Sequence, residues 1–262
     1  MIRLVRVETL KLRVTRLSYG LLATGAGLTA LFAVLEASRA GTGKGGVPPL
    51  DTVSGFDSVI TGGIWSMLLA GVLGVTVSSG EFRHATATLT YLAAPARGRV
   101  QAAKAMSAAL AGAVFGAAGY TASLATGLAF VAARGYPVPV GDATMARYGA
   151  GAVLAAALLA AVGAGLGALL RSQLAGVIAI FVWSIVIESL LGGLFPAIRP
   201  YLPYTAAATL SGTPLGGAAF GPAHSLSGSS PLPFAGSAAL VAAVAALLSV
   251  AAARTTLRRD IS

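Results

Sequence analysis

The 262-residue sequence contains no cysteine, so it can form neither disulfide bonds nor thiolate metal sites. Charged residues are also scarce, at 10% of the chain, whereas soluble domains carry about 25%. There is no cluster of His, Asp and Glu in the sequence that would predict a metal site. Apolar runs longer than about 18 residues recur instead, and they predict a polytopic membrane protein.

Proline is absent from these apolar runs, and all twelve prolines lie in the connections between them. Regular helices are expected where proline is excluded, so we interpret the runs as membrane-spanning helices. The third run exceeds the roughly 20 residues that a bilayer requires, and we expect it to tilt or to begin in the cytoplasm. The predicted fold is all-α, and residues 1–262 form a single transmembrane domain. The six predicted spans are approximately 17–37, 58–79, 102–133, 147–170, 174–195 and 235–253.

Basic residues are distributed unevenly between the two sides that these spans define. If the N-terminus is inside, thirteen of the eighteen Lys and Arg residues lie in inner segments and five in outer segments. The positive-inside rule therefore predicts that both termini are cytoplasmic. This orientation also explains the net charge of +10, because the chain lacks the interleaved basic and aromatic residues of a single-strand binder. We expect no nucleic-acid partner.

The first sixteen residues alternate basic and apolar positions. Val7, Leu10, Val14 and Leu17 form one helical stripe, with arginines beside it. This pattern predicts an interfacial helix over 1–16 that lies under the membrane and leads into the first span. The alternative is a basic flank that only orients the chain.

The outer connection 196–234 is rich in proline but also contains apolar patches that are too short to span. Its only Lys, Arg, Asp or Glu residue is Arg199, whereas a solvated loop would carry more charge. We therefore expect two short re-entrant helices before the last span. The alternative is a flexible external loop.

Most polar residues in the middle of the chain lie in one segment between the second and third spans, SSGEFRHATATLTYLAAPARGRVQAAK. Read as a helix, it places Phe82, Ala85, Leu89 and Leu92 on one face, and Pro95 ends it. Such a helix is too short to span. It can lie on the membrane or dock into a groove of a partner.

This segment resembles the type-2 ABC-transporter permease family. The similarity lies in the acidic–aromatic–basic start after the second span, the AT that follows, the spaced leucines, the P-x-R-G-R and the lysine that opens the third span. The six spans, the basic N-terminal helix and the proline-broken segment before the last span agree with it. Ala85 is a departure, because members often have glycine there.

The resemblance implies that 80–101 contains a coupling helix seated in a groove of a separate ATPase subunit. It also implies two ATPase subunits, which bind ATP and Mg, and a second permease copy or a similar permease. The assembly would export substrates by alternating access from a bacterial plasma membrane. We expect small amphipathic drugs or natural products, with lipid or polysaccharide precursors as the alternative. The implied coupling residues are Glu81, Phe82, Arg83, His84, Arg97 and Arg99.

The sequence lacks the motifs that catalysis would require. An ATPase would carry G-x-x-x-x-G-K-[ST], but SRAGTGKGG has Ser38 at the first glycine position and Gly45 after the lysine. His84 and His224 lie in connections, and neither pairs with a serine on a neighbouring span. We therefore expect no catalytic residue, metal or cofactor in this chain.

Glu188 is the one carboxylate well inside a predicted span, roughly 20–22 Å from its inner end at 1.5 Å per residue. A charge facing lipid at that depth would be costly, so Glu188 should face protein or a watery cavity. Trp183 could line the same cavity. We expect either a packing carboxylate or a gate or substrate contact. A single carboxylate is weak support for the other alternative, an ion-coupled secondary transporter.

Overall fold

The computed structural model describes residues 1–43, 47–83, 96–213 and 232–255. Within these ranges the protein is all-α and contains no strand, as the sequence predicts. In chain order the helices are α1 (Ile2–Val14), α2 (Arg16–Arg39), α3 (Val53–Ile60), α4 (Ile64–Arg83), α5 (Arg97–Ala133), α6 (Asp142–Leu170), α7 (Gln173–Leu194), α8 (Pro203–Leu210) and α9 (Phe234–Arg254).

Six helical segments are long and apolar enough to cross a membrane, which confirms the six predicted spans. They are α2, the α3–α4 pair, α5, α6, α7 and α9. The second span is interrupted at 61–63, where α3 ends and α4 begins. The third span begins at Arg97 rather than at 102, so its 37 residues extend beyond the length that a bilayer needs.

The connections explain where the helices begin and end. Thr15 adopts an extended conformation and separates α1 from α2. Thr52 and Ser172 cap the first turns of α3 and α7 with their side-chain oxygens. Arg171 has a positive φ of 51°, which ends α6 and reverses the chain into α7. Short connections of this kind keep consecutive spans adjacent.

The second span lies at the centre of the bundle, where α4 packs against α2, α5, α6 and α7. It is buried over 83% of its most apolar window, whereas α7 and α9 are each buried over 17%. Glycines permit the close approach of the central helices. A Cβ at Gly112 of α5 would meet the backbone of Ala156, and one at Gly163 of α6 would meet the backbone of Gly71.

Two predicted elements are only partly described. The outer connection contains a 3₁₀ turn, Pro196–Tyr201, followed by α8. Most of α8 is buried, so this part of the connection is not a solvated loop. A second short helix would fall within 214–231, which lies outside the described residues. The same is true of 84–95, the central part of the predicted coupling helix.

Candidate functional site

Four charged side chains meet where α1 packs beside the predicted cytoplasmic ends of α4 and α5, and we call them the inner ion network: Glu8, Lys11, Glu81 and Lys104. Lys104 Nζ lies 2.9 Å from Glu81 Oε1 and 3.4 Å from Glu8 Oε2. Lys11 Nζ lies 2.8 Å from Glu8 Oε1 and 2.9 Å from Glu81 Oε1. Two cations and two anions therefore balance each other and join three helices.

The inner ion network is largely removed from solvent. The side chain of Lys104 is 3% exposed, and those of Glu8 and Glu81 are 8% and 11% exposed. Burial of a charge is costly unless an opposite charge and hydrogen bonds compensate it. Lys11 is half-exposed. Partial burial lowers its pKa, but hydrogen bonds and attraction from the two carboxylates outweigh that effect and raise the pKa above its ordinary value.

Glu81 is predicted to contact a partner subunit, but its carboxylate is bound within this chain. Both cations that bind its carboxylate, Lys11 and Lys104, belong to the same chain. The Glu81–Lys104 pair joins the end of α4 to the beginning of α5. It therefore fixes the two helix ends between which the predicted coupling segment runs.

The remaining predicted coupling residues lie at these same helix ends. The backbone of α4 continues helical to its last residue, Arg83, and α5 begins at Arg97. Arg97 is half-buried and Arg99 is exposed. Outside the described residues lie His84 and the side chains of Phe82 and Arg83.

Sequence reasoning missed the pairing of Glu8, Lys11 and Lys104. Two signals were present. Glu8 is the only acidic residue in the first 35 positions, and it lies three residues before Lys11, so the two share a helix face. Lys104 is a single charge within an otherwise apolar run, where a buried partner is expected.

The second buried charge, Glu188 of α7, caps the short helix α8. Its carboxylate accepts hydrogen bonds from the backbone N–H groups of Tyr204 and Thr205, both at 2.8 Å, and from Thr205 Oγ1 at 2.9 Å. Pro203 begins α8, and the preceding residue, Leu202, has no side-chain oxygen to cap it. Glu188 supplies the missing acceptor from another helix, where the positive end of the α8 dipole also favours it.

A fourth donor comes from a π-helical segment within α7, Val182–Ile187. Trp183 Nε1 donates to Glu188 Oε1 at 2.9 Å. Residues five apart lie on different faces of an α-helix but close together across a π turn, which makes this bond possible. Glu188 is 4% exposed, and among the described residues it forms no ion pair with Arg199. This geometry favours the packing role over a substrate contact for the carboxylate.

A cavity of about 240 Å³ lies beside Glu188, between α7 and α9, and we call it the α7–α9 cleft. Helices α4 and α6 form its floor, and α8 closes one end. α7 and α9 make little or no contact with each other, so the cleft opens sideways between them. Its lining is Met67, Leu68, Gly71, Leu159, Val162, Leu166, Ala179, Ile180, Trp183, Ser184, Glu188, Pro203, Tyr204, Val244 and Leu248.

No protein-family model matches the chain, and comparison with curated proteins also gave no match. By the length and hydropathy of its helices, the chain is a multi-pass, all-helical membrane protein with six candidate spans. The similarity to the permease family stays a prediction from the sequence.

Proposed function

We propose that the chain is the permease subunit of an ATP-driven ABC exporter in a bacterial plasma membrane. The observation that carries the proposal is the inner ion network. It joins the end of α4 and the beginning of α5, which flank the predicted coupling segment, to the N-terminal helix α1. A force applied to that segment by a partner would reach all three helices together.

The inner ion network ties α1 and α4 to α5. Lys104 is held by two carboxylates on two helices, so separation of α1 or α4 from α5 would break a buried ion pair. The predicted apolar stripe of α1 is exposed: Val7 and Leu10 are each 51% exposed, and Val14 is 80% exposed. This stripe suits the membrane surface. The network thus supports a lever between an ATPase and the bilayer.

The energy source in this proposal is a partner. The sequence has no phosphate-binding loop, so ATP and Mg would be held by two ATPase subunits. A second permease copy or a similar permease would complete the pathway, and the substrate would be a small amphipathic drug or natural product. Glu188 would act at the outer end of the pathway by fixing α8, and Trp183 would line it.

An ion-coupled secondary transporter is less well supported. Such a carrier needs an ionisable group that can release and bind its ion during transport. Both carboxylate oxygens of Glu188 already accept two hydrogen bonds each. If Glu188 bound a proton or a sodium ion during transport, its hydrogen bonds to the first turn of α8 would also be broken.

Purification of the tagged chain from membranes of its native host tests the proposal. We expect a protein with a G-x-x-x-x-G-K-[ST] motif to copurify and ATP hydrolysis to accompany the complex. Replacing both Arg97 and Arg99 with Glu should weaken the association, so that this protein no longer copurifies with the chain. Arg254→Glu is the matched control, because Arg254 is an exposed arginine at the inner end of α9. Purification without any such ATPase would refute the proposal.

A further inference from the structure

The α7–α9 cleft is distinct from the inner ion network and has a chemistry of its own. The polar side chains that border it are already engaged within the protein. Trp183 Nε1 donates to Glu188, and Ser184 Oγ donates to the carbonyl oxygen of Ile180 at 2.7 Å. Tyr204 Oη donates to the carbonyl oxygen of Ile64 at 2.6 Å. A molecule in the cleft would therefore meet an apolar wall with few free hydrogen-bonding groups.

The dimensions of the cleft favour an elongated occupant. Its lining runs along α7 from Ala179 to Glu188, a rise of about 13 Å at 1.5 Å per residue. Along α6 it runs from Leu159 to Leu166, a rise of about 10 Å. The volume of about 240 Å³ is below the roughly 300–1,000 Å³ of pockets for drug-sized ligands. A hydrocarbon chain parallel to the helices fits this shape better than a compound of several rings.

The route of entry follows from the packing. α7 and α9 flank the cleft and both belong to the least buried spans. Because they do not close on each other, the gap between them faces the hydrocarbon layer in which both helices lie. An apolar chain can pass through such a gap without crossing water.

We propose that the α7–α9 cleft binds the hydrocarbon tail of a bilayer lipid, which enters sideways from the membrane. The head group stays outside the cleft, because the cleft offers it few hydrogen-bonding groups. The site is formed by one copy of the chain and does not rest on the proposed transport function.

Trp183 is a native reporter for this site. The chain has two tryptophans, and Trp65→Phe leaves Trp183 as the only one. That substitution is mild, because Trp65 Nε1 has no hydrogen-bond partner among the described residues and the phenyl ring can keep the stacking on Phe32. The protein is placed in nanodiscs of phosphatidylcholine with brominated acyl chains, which quench tryptophan fluorescence on contact. In a second arm, brominated fatty acid is added to nanodiscs of ordinary phosphatidylcholine.

Trp183 is 44% exposed, so surrounding lipid can also quench its fluorescence. Variants that fill the cleft distinguish this quenching from quenching by a tail bound inside the cleft. Leu248→Phe and Ala179→Phe fill it from two different walls. Leu247→Phe and Ala175→Phe are the matched controls, because both positions are exposed and outside the lining. Because the two filling variants lie on different helices, the test still works if one of them fails to fold. Size-exclusion chromatography identifies a variant that is misfolded.

We expect each filling variant to lose part of the quenching seen with wild type in the first arm, while the controls keep the wild-type value. Loss of quenching in the first arm supports a bilayer lipid as the occupant. Loss in the second arm alone would show that a free amphipath occupies the cleft instead, and it would overturn the proposal. Equal quenching of wild type, filling variants and controls in both arms would overturn the proposal. Because no ATPase takes part, this result is independent of the copurification test.

Discussion

Within the described part of the chain, buried charge at two places is neutralised in two different ways. In the inner ion network, Lys104 is compensated by the carboxylates of Glu8 and Glu81. At the cap of α8, Glu188 is compensated by backbone and side-chain donors, and no cation lies within ion-pair distance of it among the described residues. The first arrangement depends on charge balance between side chains, and the second on the end of a helix.

This difference determines how the stability of each site should respond to substitution of its charged residues. A network of opposite charges is damaged most when one member is removed, because the others are left buried and uncompensated. A cap is damaged most when the acceptor is removed, because the helix N–H groups lose their partner. Charge alone should therefore matter more at the inner ion network than at Glu188.

Lys104→Met should produce the largest effect. It leaves Glu8 and Glu81 close together with only the half-exposed Lys11 to compensate them, and we expect a loss of about 3–5 kcal/mol in the free energy of unfolding. Thermal unfolding of the purified variant in detergent measures the loss. Lys11→Met is the comparison variant, and it should cost less than Lys104→Met, because Lys11 is half-exposed and Lys104 still pairs with both carboxylates.

A compensating variant sharpens this test. If charge balance is the cause, adding Glu8→Met and Glu81→Met to Lys104→Met should recover much of the lost stability, since replacement of a whole buried ion set by apolar residues is often nearly neutral. A triple variant less stable than Lys104→Met would contradict the charge-balance explanation and indicate that packing dominates.

Glu188→Ala should have the second-largest effect. It removes the acceptor of the Tyr204 and Thr205 N–H groups, and a lost helix cap costs about 0.5–2 kcal/mol. Glu188→Gln keeps one carbonyl acceptor and should fall between wild type and alanine. The melting temperatures of the three proteins test this order. A glutamine variant as unstable as the alanine variant would show that charge matters here as much as in the network.

Loosening of α8 can be detected locally, because the chain has no native cysteine. A cysteine at Ala207, which is fully buried, should react slowly with an impermeant thiol reagent, whereas one at Tyr201, 59% exposed, should react readily. Adding Glu188→Ala should accelerate labelling at 207 and leave 201 unchanged. Rapid labelling at 207 with Glu188 intact would argue against a buried α8.

Trp183→Phe should have the smallest effect. The indole N–H is one of four donors to Glu188, so its loss leaves three bonds in place. We expect a cost of about 0.5–1.5 kcal/mol, the net value of one hydrogen bond. Thermal unfolding against wild type measures it. A loss as large as that of Glu188→Ala would mean that the π segment depends on the indole bond.

The spans could be predicted from the sequence because their signal is local. Length, hydropathy and the position of proline predict each span from its own residues, although α3 extends the second span back to Val53 rather than 58. The interactions at the two buried charges are not local. Glu8 and Lys104 are 96 positions apart, and Glu188 reaches Thr205 across the 3₁₀ turn.

The π segment could not be predicted from the sequence either. Nothing in VWSIVI distinguishes a π turn from an α turn, and α-helical spacing would separate Trp183 from Glu188. The sequence identified both residues but not the bond between them. It also could not show that α8 provides the donors that satisfy the carboxylate.

The proposed ATP-driven export is tested by transport into inside-out vesicles. The vesicles contain this chain and its copurified ATPase, and uptake of a fluorescent amphipath is followed with and without ATP. The proposed function predicts uptake that requires ATP and stops when the phosphate-binding lysine of the ATPase is replaced. Uptake that continues without the ATPase and stops when the proton or sodium gradient is dissipated would contradict it and identify an ion-coupled carrier.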